Sequence, residues 1–132
     1  MRTKIIIFIR SPFLQKISET EGLAVHADIP EDAERLPENQ DIMIYRVIQE
    51  LANNTLKHAH ARNIEIQMQV IAGRLDIIYS DDGQGFSIGE KVGAQTLGLQ
   101  SIQSRISFLS GKMEFHSAPG EGVSYKFEIP TY

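Results

Sequence analysis

The fold class this sequence predicts is an α/β two-layer sandwich, with a mixed, mostly antiparallel sheet and helices on one face. Three observations lead there. Asn63-Ile-Glu-Ile-Gln-Met-Gln-Val70 alternates strictly between polar and apolar residues, as a strand with one dry face does. From Ile42 to about His60 the apolar residues recur at spacings of three and four, the period of an amphipathic helix. Two hairpin patterns flank a second helical stretch, so sheet and helices must share one core.

Taken in order, residues 1–22 are poorly patterned, and a single domain is expected over residues 23–132. Leu23, Val25, Ala27 and Ile29 alternate as a strand that Pro30 closes. A polar loop follows, with Asn39 or Asp41 as expected N-caps of the first helix. Ile44, Val47, Ile48, Leu51, Thr55 and Ala59 form its apolar stripe, and Arg46, Glu50, Asn53, Asn54 and Lys57 lie largely off it. Ile64, Ile66, Met68 and Val70 share one face of the next strand. Ala72-Gly73 turns the chain, and Leu75 to Tyr79 returns it. Residues 86–97 carry no steady period. A second helix is expected to begin at Gly98, to bury Leu99, Ile102, Ile106 and Leu109, and to end at Gly111. Met113 and Phe115 start another strand, residues 118–122 turn it, and Val123, Tyr125, Phe127 and Ile129 form the returning inner face before Pro130.

The bulk chemistry removes several function classes. A chain of 132 residues with 42% apolar residues has room for one hydrophobic core. Net charge is −4, with no basic stripe, which argues against a nucleic-acid partner. There is no cysteine, hence no disulfide framework and no thiolate metal site, and a cytoplasmic location is the expectation. The longest apolar run, Ile5 to Ile9, is far short of the ~18 residues of a membrane span. No span is expected in this chain, which leaves open a parent protein anchored in a membrane.

Three motifs carry chemistry. Glu50, Asn54 and Lys57 or His58 follow one another at helical spacing and share a face. An acid, an amide and a cation so arranged suit a metal–phosphate group, the amide oxygen as a Mg²⁺ ligand and the cation against phosphate charge. They equally suit a solvated helix face. Asp81-Asp-Gly-Gln-Gly85 follows a strand. Its glycines can hinge a loop or admit a ligand, and a carboxylate there can accept a hydrogen bond from an amine; it also reads as an ordinary turn. Gly98-Leu-Gln-Ser-Ile-Gln-Ser-Arg-Ile106 opens a helix whose free N–H groups suit a phosphate, or is simply an amphipathic helix.

The order of these motifs resembles the ATP-binding catalytic domain of sensor histidine kinases, in the NarX/DesK-like subfamily of the Bergerat (GHKL) ATPase fold. YRVIQELANNTLKHA resembles the N box, DDGQGF the G1 box, GLQSIQSRI the G2 box and GKMEFHSAPGEG the closing hairpin. The resemblance covers residues 23 to 130. It implies that Asn54 ligates Mg²⁺ and that Asp81 reads the adenine amine. Gly83 and Gly85 would hinge an ATP lid over residues 86–97, which also forms part of the docking surface. Gly98 and Leu99 would lie at the phosphate end of the next helix, with Lys57 and His58 approaching the phosphates. Glu50 sits where such ATPases place the acid that positions water, and its role in a kinase is open.

Two departures from the family pattern bear on affinity. The G2 box reads Thr96-Leu-Gly-Leu99 where many members have Gly-x-Gly-Leu, so a stiffer lid end is expected, with Thr96 offering its hydroxyl to a phosphate instead. Val123 follows Gly122 where many members have threonine, which removes one hydrogen bond near the adenine and predicts weakened binding. The histidines, His26, His58, His60 and His116, lack a phosphoacceptor context. Transfer of the γ-phosphate is therefore expected to a histidine on a separate dimerisation segment, and onward to a response regulator. By itself the chain is expected to bind ATP and to transfer phosphate poorly or not at all. An anti-sigma-type serine kinase and a degenerate module that binds nucleotide or protein without catalysis are the alternatives.

Overall fold

A computed structural model of the chain describes residues 24–28, 38–56, 61–84, 94–118 and 120–131. Among the described residues five strands form one sheet: β1 (Ala24–Asp28), β2 (Asn63–Ile71), β3 (Arg74–Asp81), β4 (Lys112–Ser117) and β5 (Val123–Pro130), in the order β1-β2-β3-β5-β4. β1 pairs parallel with β2 and the other neighbours pair antiparallel, so the sheet is mixed and mostly antiparallel, as expected. Among the described residues two helices, α1 (Glu38–Asn54) and α2 (Ala94–Phe108), supply the other side of the core.

Alternation sets which face is dry. Ile64, Ile66 and Met68 on β2, Leu75, Ile77 and Tyr79 on β3, and Val123, Tyr125, Phe127 and Ile129 on β5 are all buried. Ile44, Val47, Ile48, Leu51 and Ala52 of α1 and Ile102 and Ile106 of α2 pack against them. The period of two that buries Ile77 and Tyr79 carries on to the strand's last residue, so Asp81 also points inward. The β2–β3 hairpin turns through Ala72 and Gly73 with φ of +49° and +78°. Positive φ at both loop residues matches the right-handed twist of the paired strands and fixes the register Ile71–Arg74.

Both helices start earlier than expected. α1 begins at Glu38, so Asn39 and Asp41 lie inside its first turn and are not N-caps. Its α-helical part stops at Asn54, and the backbone widens into an i→i+5 turn at Thr55 and Leu56; residues 57–60, where the stripe was expected to continue, lie outside the described residues. α2 begins at Ala94, which puts Gly98 in its second turn and shortens the expected lid at its C-terminal end. Alanine, glutamine and leucine are good helix formers, and the helix extends upstream through them.

The end of α2 is also not where it was expected. The left-handed residue is Ser110, with φ of +60°, and not Gly111. Ser110 N–H donates to Ser107 O and Gly111 N–H to Ile106 O, both at 2.9 Å, which is the paired bonding of a Schellman cap. Gly111 is required for space: a Cβ there would stand 3.0 Å from Glu128 O and from Ile106 Cγ2.

Candidate functional site

The C-terminal ends of α1 and β3 meet the first residues of β5 at one edge of the core. Asp81 lies at the centre, paired in register with Ile64 on one side and Val123 on the other. Its carboxylate is buried, with Oδ2 accepting from Thr55 Oγ1 at 2.9 Å and Oδ1 from the Gly83 N–H at 3.0 Å. Burial raises its pKa above the usual carboxylate value, the Gly83 N–H, the Thr55 hydroxyl and the Val123 N–H oppose that rise, and the charge of Asp82 adds to it. The result is a buried acceptor with lone pairs to spare.

Asp82 does different work. It is exposed, and its Oδ1 accepts from the Arg62 and Asn63 N–H groups, both at 2.8 Å, while Oδ2 accepts from Asn63 Nδ2 at 2.8 Å. These bonds hold its carboxyl below the usual range, the Asn63 side chain contributing most, and they tie the end of β3 to the start of β2.

Gly122 sets the close approach of the hairpin to this turn. Its φ is +72°, and a Cβ on it would collide with the carbonyl oxygen of Asp81. Ser117 Oγ donates to Gly122 O at 2.8 Å, and the Gly120 N–H donates to Gln84 O. The β4–β5 turn is thereby bonded to the DDGQ loop.

Glu50 does not stand alone on α1. Ser101 Oγ of α2 donates to its Oε2 at 3.2 Å, and Arg105 Nε lies 3.5 Å from the same oxygen. The Arg105 contact is an ion pair without hydrogen-bond geometry, since Nε is buried with no hydrogen-bond partner. Glu50 thus bridges the two helices on the side nearest the site.

The remaining expected residues divide four ways. Asn54 is half-buried at the last turn of α1, and Leu99 is half-buried against the core. Gly83 is buried, and its N–H donates to Asp81 Oδ1. Thr96 and Gly98 lie on the backbone of α2, and the free N–H groups of its first turn precede Gly98. Lys57, His58 and Gly85 lie outside the described residues.

Sequence reasoning missed Thr55 and Tyr79. Thr55 is assigned to the apolar stripe of α1, yet it is the buried polar group that links Leu51 O, at 3.2 Å, with Tyr79 Oη at 2.7 Å and Asp81. A hydroxyl on a buried stripe must find a partner, and that signal was present in the pattern. Tyr79 looks like a core residue by alternation, and is one, but its hydroxyl reaches the site.

Mg²⁺ can be tested against this donor set. No cluster of three or more histidine or carboxylate ligands exists among the described residues. Asn54, half-buried at the last turn of α1, carries one hard amide oxygen, which suits an ion that takes its other ligands from phosphate and water.

Residues 39–132 match the family described as histidine kinase-, DNA gyrase B-, and HSP90-like ATPase. Among curated relatives, the signal transduction histidine-protein kinase/phosphatase DegS of Brevibacillus brevis is 27% identical over 89% of this chain and 30% of its own length. The kinase/phosphatase UhpB of Salmonella typhimurium is 34% identical over 88% of this chain and 23% of its own. The chain therefore spans less than a third of these relatives. Among solved structures, the histidine kinase domain of the blue-light activated kinase from Erythrobacter litoralis EL346 superposes with a TM-score of 0.78 at 17% identity, covering 98% of this chain and 61% of that one. At that identity the superposition speaks for the fold, while the profile match and the curated relatives carry the family. The chain belongs to the histidine kinase-, DNA gyrase B- and HSP90-like ATPases, as an ATP-binding domain of the sensor histidine kinase kind.

Proposed function

We propose that this domain binds Mg·ATP with its adenine amine on Asp81 and presents the γ-phosphate to a histidine on a separate dimerising helical segment. The observation that carries the proposal is the Asp81 carboxylate, buried at a strand end and supplied with protein donors on both oxygens. Such a group has its free lone pairs committed to accepting, which is what an exocyclic amine needs. The domain boundary is taken near residue 23, because β1 completes the sheet.

The protein's part in phosphoryl transfer is positioning and charge neutralisation. Asp81 fixes the base. Asn54 lies on the last turn of α1, from which Lys57 and His58 would reach the phosphates. Thr96, Gly98 and Leu99 belong to the helix that would flank them, and Gly83 and Gly85 to the loop that would open and close over them. When bound, Mg²⁺ would neutralise phosphate charge, with the Asn54 amide as its one protein ligand here. Glu50 bridges to α2 through its Oε2 in this conformation. The acceptor is expected to pass its phosphoryl group to the aspartate of a response regulator. No helix among the described residues is long and apolar enough to cross a membrane, and a cytoplasmic setting suits this chemistry.

The test is transfer in trans. The domain is incubated with γ-labelled Mg·ATP and either a dimerising histidine domain of the DegS or UhpB type or a serine-bearing antagonist protein. Acid-labile, base-stable label on the histidine domain supports the proposal. Acid-stable label on the serine protein alone would make the chain a serine kinase, and ATP binding without label on either would make it a non-catalytic nucleotide module.

A further inference from the structure

The carboxylate of Asp81 is supported by a chain of hydroxyls that begins inside the core. Tyr79, two residues earlier on β3, is fully buried, and its Oη lies 2.7 Å from Thr55 Oγ1, which lies 2.9 Å from Asp81 Oδ2. Burial keeps the phenol protonated by pushing its pKa far up. A buried phenol must place its hydrogen on an acceptor, and Thr55 Oγ1 is the acceptor in reach. Thr55 has a single hydrogen of its own and two places to send it, Asp81 Oδ2 or Leu51 O at 3.2 Å. A carboxylate wins that contest over a neutral carbonyl at longer distance. Donation from Tyr79 then polarises the Thr55 hydroxyl and strengthens its bond to the anion, because hydrogen bonds in series reinforce one another.

We infer that Tyr79 is a positioning residue for base selection: acting through Thr55, it holds Asp81 as an ionised, acceptor-only group and so favours a 6-amino purine nucleotide over a 6-oxo one. The inference rests on the reading of Asp81 as the base-facing group. With the chain intact, both carboxylate oxygens already receive protein donors, and a carbonyl at C6 of the base would meet only lone pairs. Without the Tyr79 hydroxyl the anion loses support, a larger share of Asp81 is protonated at a given pH, and a protonated carboxyl can donate to a 6-oxo group. The other ionisable groups near Asp81 are Asp82 on the adjoining turn and Tyr125 on β5, and Tyr125 in turn feels Glu50 of α1, which pairs with Arg105 of α2. None of them bonds Thr55 among the described residues.

Tyr79→Phe removes one oxygen and keeps the ring. Affinities for ATP and inosine triphosphate are measured by calorimetry across pH, with thermal unfolding as the check on folding. The variant is expected to lose about two- to tenfold of its preference for ATP at neutral pH, the range that one hydrogen bond supports. The acid limb of ATP binding should also move to higher pH. Thr55→Val, which cuts the chain at its next link, should reproduce both changes, and Thr55→Ser should restore them. Tyr125→Phe, which deletes a neighbouring buried hydroxyl outside the chain, should produce neither. An equal loss of both nucleotides with an unmoved acid limb, in Tyr79→Phe and Thr55→Val alike, would overturn the inference and leave the base-facing role of Asp81 standing. If Asp81→Asn leaves ATP binding intact, the base-facing reading falls and the inference with it.

Discussion

Asp81 satisfies two opposed demands, burial that disfavours its charge and donors that favour it. Its folded-state pKa lies above the unfolded value near 3.9, the sign opposite to a salt-bridged acid. The folded chain therefore binds this proton more tightly, and ionising Asp81 costs stability as pH rises from about 4 through the folded pKa. Asp81→Asn removes that titration, so the variant should gain in melting temperature on the wild type as pH rises and lose the advantage below about pH 4; a gap that does not depend on pH would contradict this. Asp82 has the reverse sign. Its folded pKa is lowered, its contribution is present above about pH 4 and fades as pH falls below that, and Asp82→Asn should be destabilised at neutral pH. At Val123 a methyl stands where the family pattern has a threonine hydroxyl, which is expected to help fix the base. Val123→Thr should tighten ATP binding by about fivefold, the equivalent of one net hydrogen bond. Calorimetry that finds no gain would contradict the expectation that Val123 weakens binding.

Between elements, two contacts assemble the site. The hairpin β4–β5 reaches the end of β3 only because residue 122 has no side chain and holds a left-handed backbone. Gly122→Ala sets a Cβ against the Asp81 carbonyl at a φ that disfavours it, and should destabilise by about 2 kcal/mol or more, with nucleotide binding lost first. Chemical denaturation and a binding titration on the same sample would show it. The second contact is Glu50 of α1 with Ser101 and Arg105 of α2. Both partners are partly exposed, so a Glu50→Gln/Arg105→Met double-mutant cycle should give a coupling below about 1 kcal/mol. A phosphoryl-transfer loss in Glu50→Gln much larger than in Arg105→Met would mean that Glu50 acts on the reaction and not only on helix alignment.

Over the whole molecule, most of the architecture was legible in the sequence because it rests on periodicity. Strict alternation in β2 and β5 gave strands and their dry faces, and Ala72-Gly73 gave a hairpin that only positive φ can close. Helix ends were less legible. Asn39, Asp41 and Gly98 are residues that often start helices, but neighbouring good helix formers carried both helices past them, and the left-handed cap fell on Ser110 where the sequence offered Gly111. The inward position of Asp81 was legible because alternation carries through to the last residue of β3. Thr55 and Tyr79 were not, since a single hydroxyl on an apolar face does not announce its partner across 24 residues of chain.

The central claim is that the carboxylate of Asp81 holds a nucleotide base. Its most direct test is the calorimetric affinity of the folded domain for ATP, with and without Mg²⁺, in the wild type, Asp81→Asn and Asn54→Ala. The account predicts that Asp81→Asn abolishes binding while remaining folded, and that Asn54→Ala binds ATP but loses the effect of Mg²⁺. Wild-type affinity retained in Asp81→Asn, or no binding by the wild type at millimolar ATP, would contradict it.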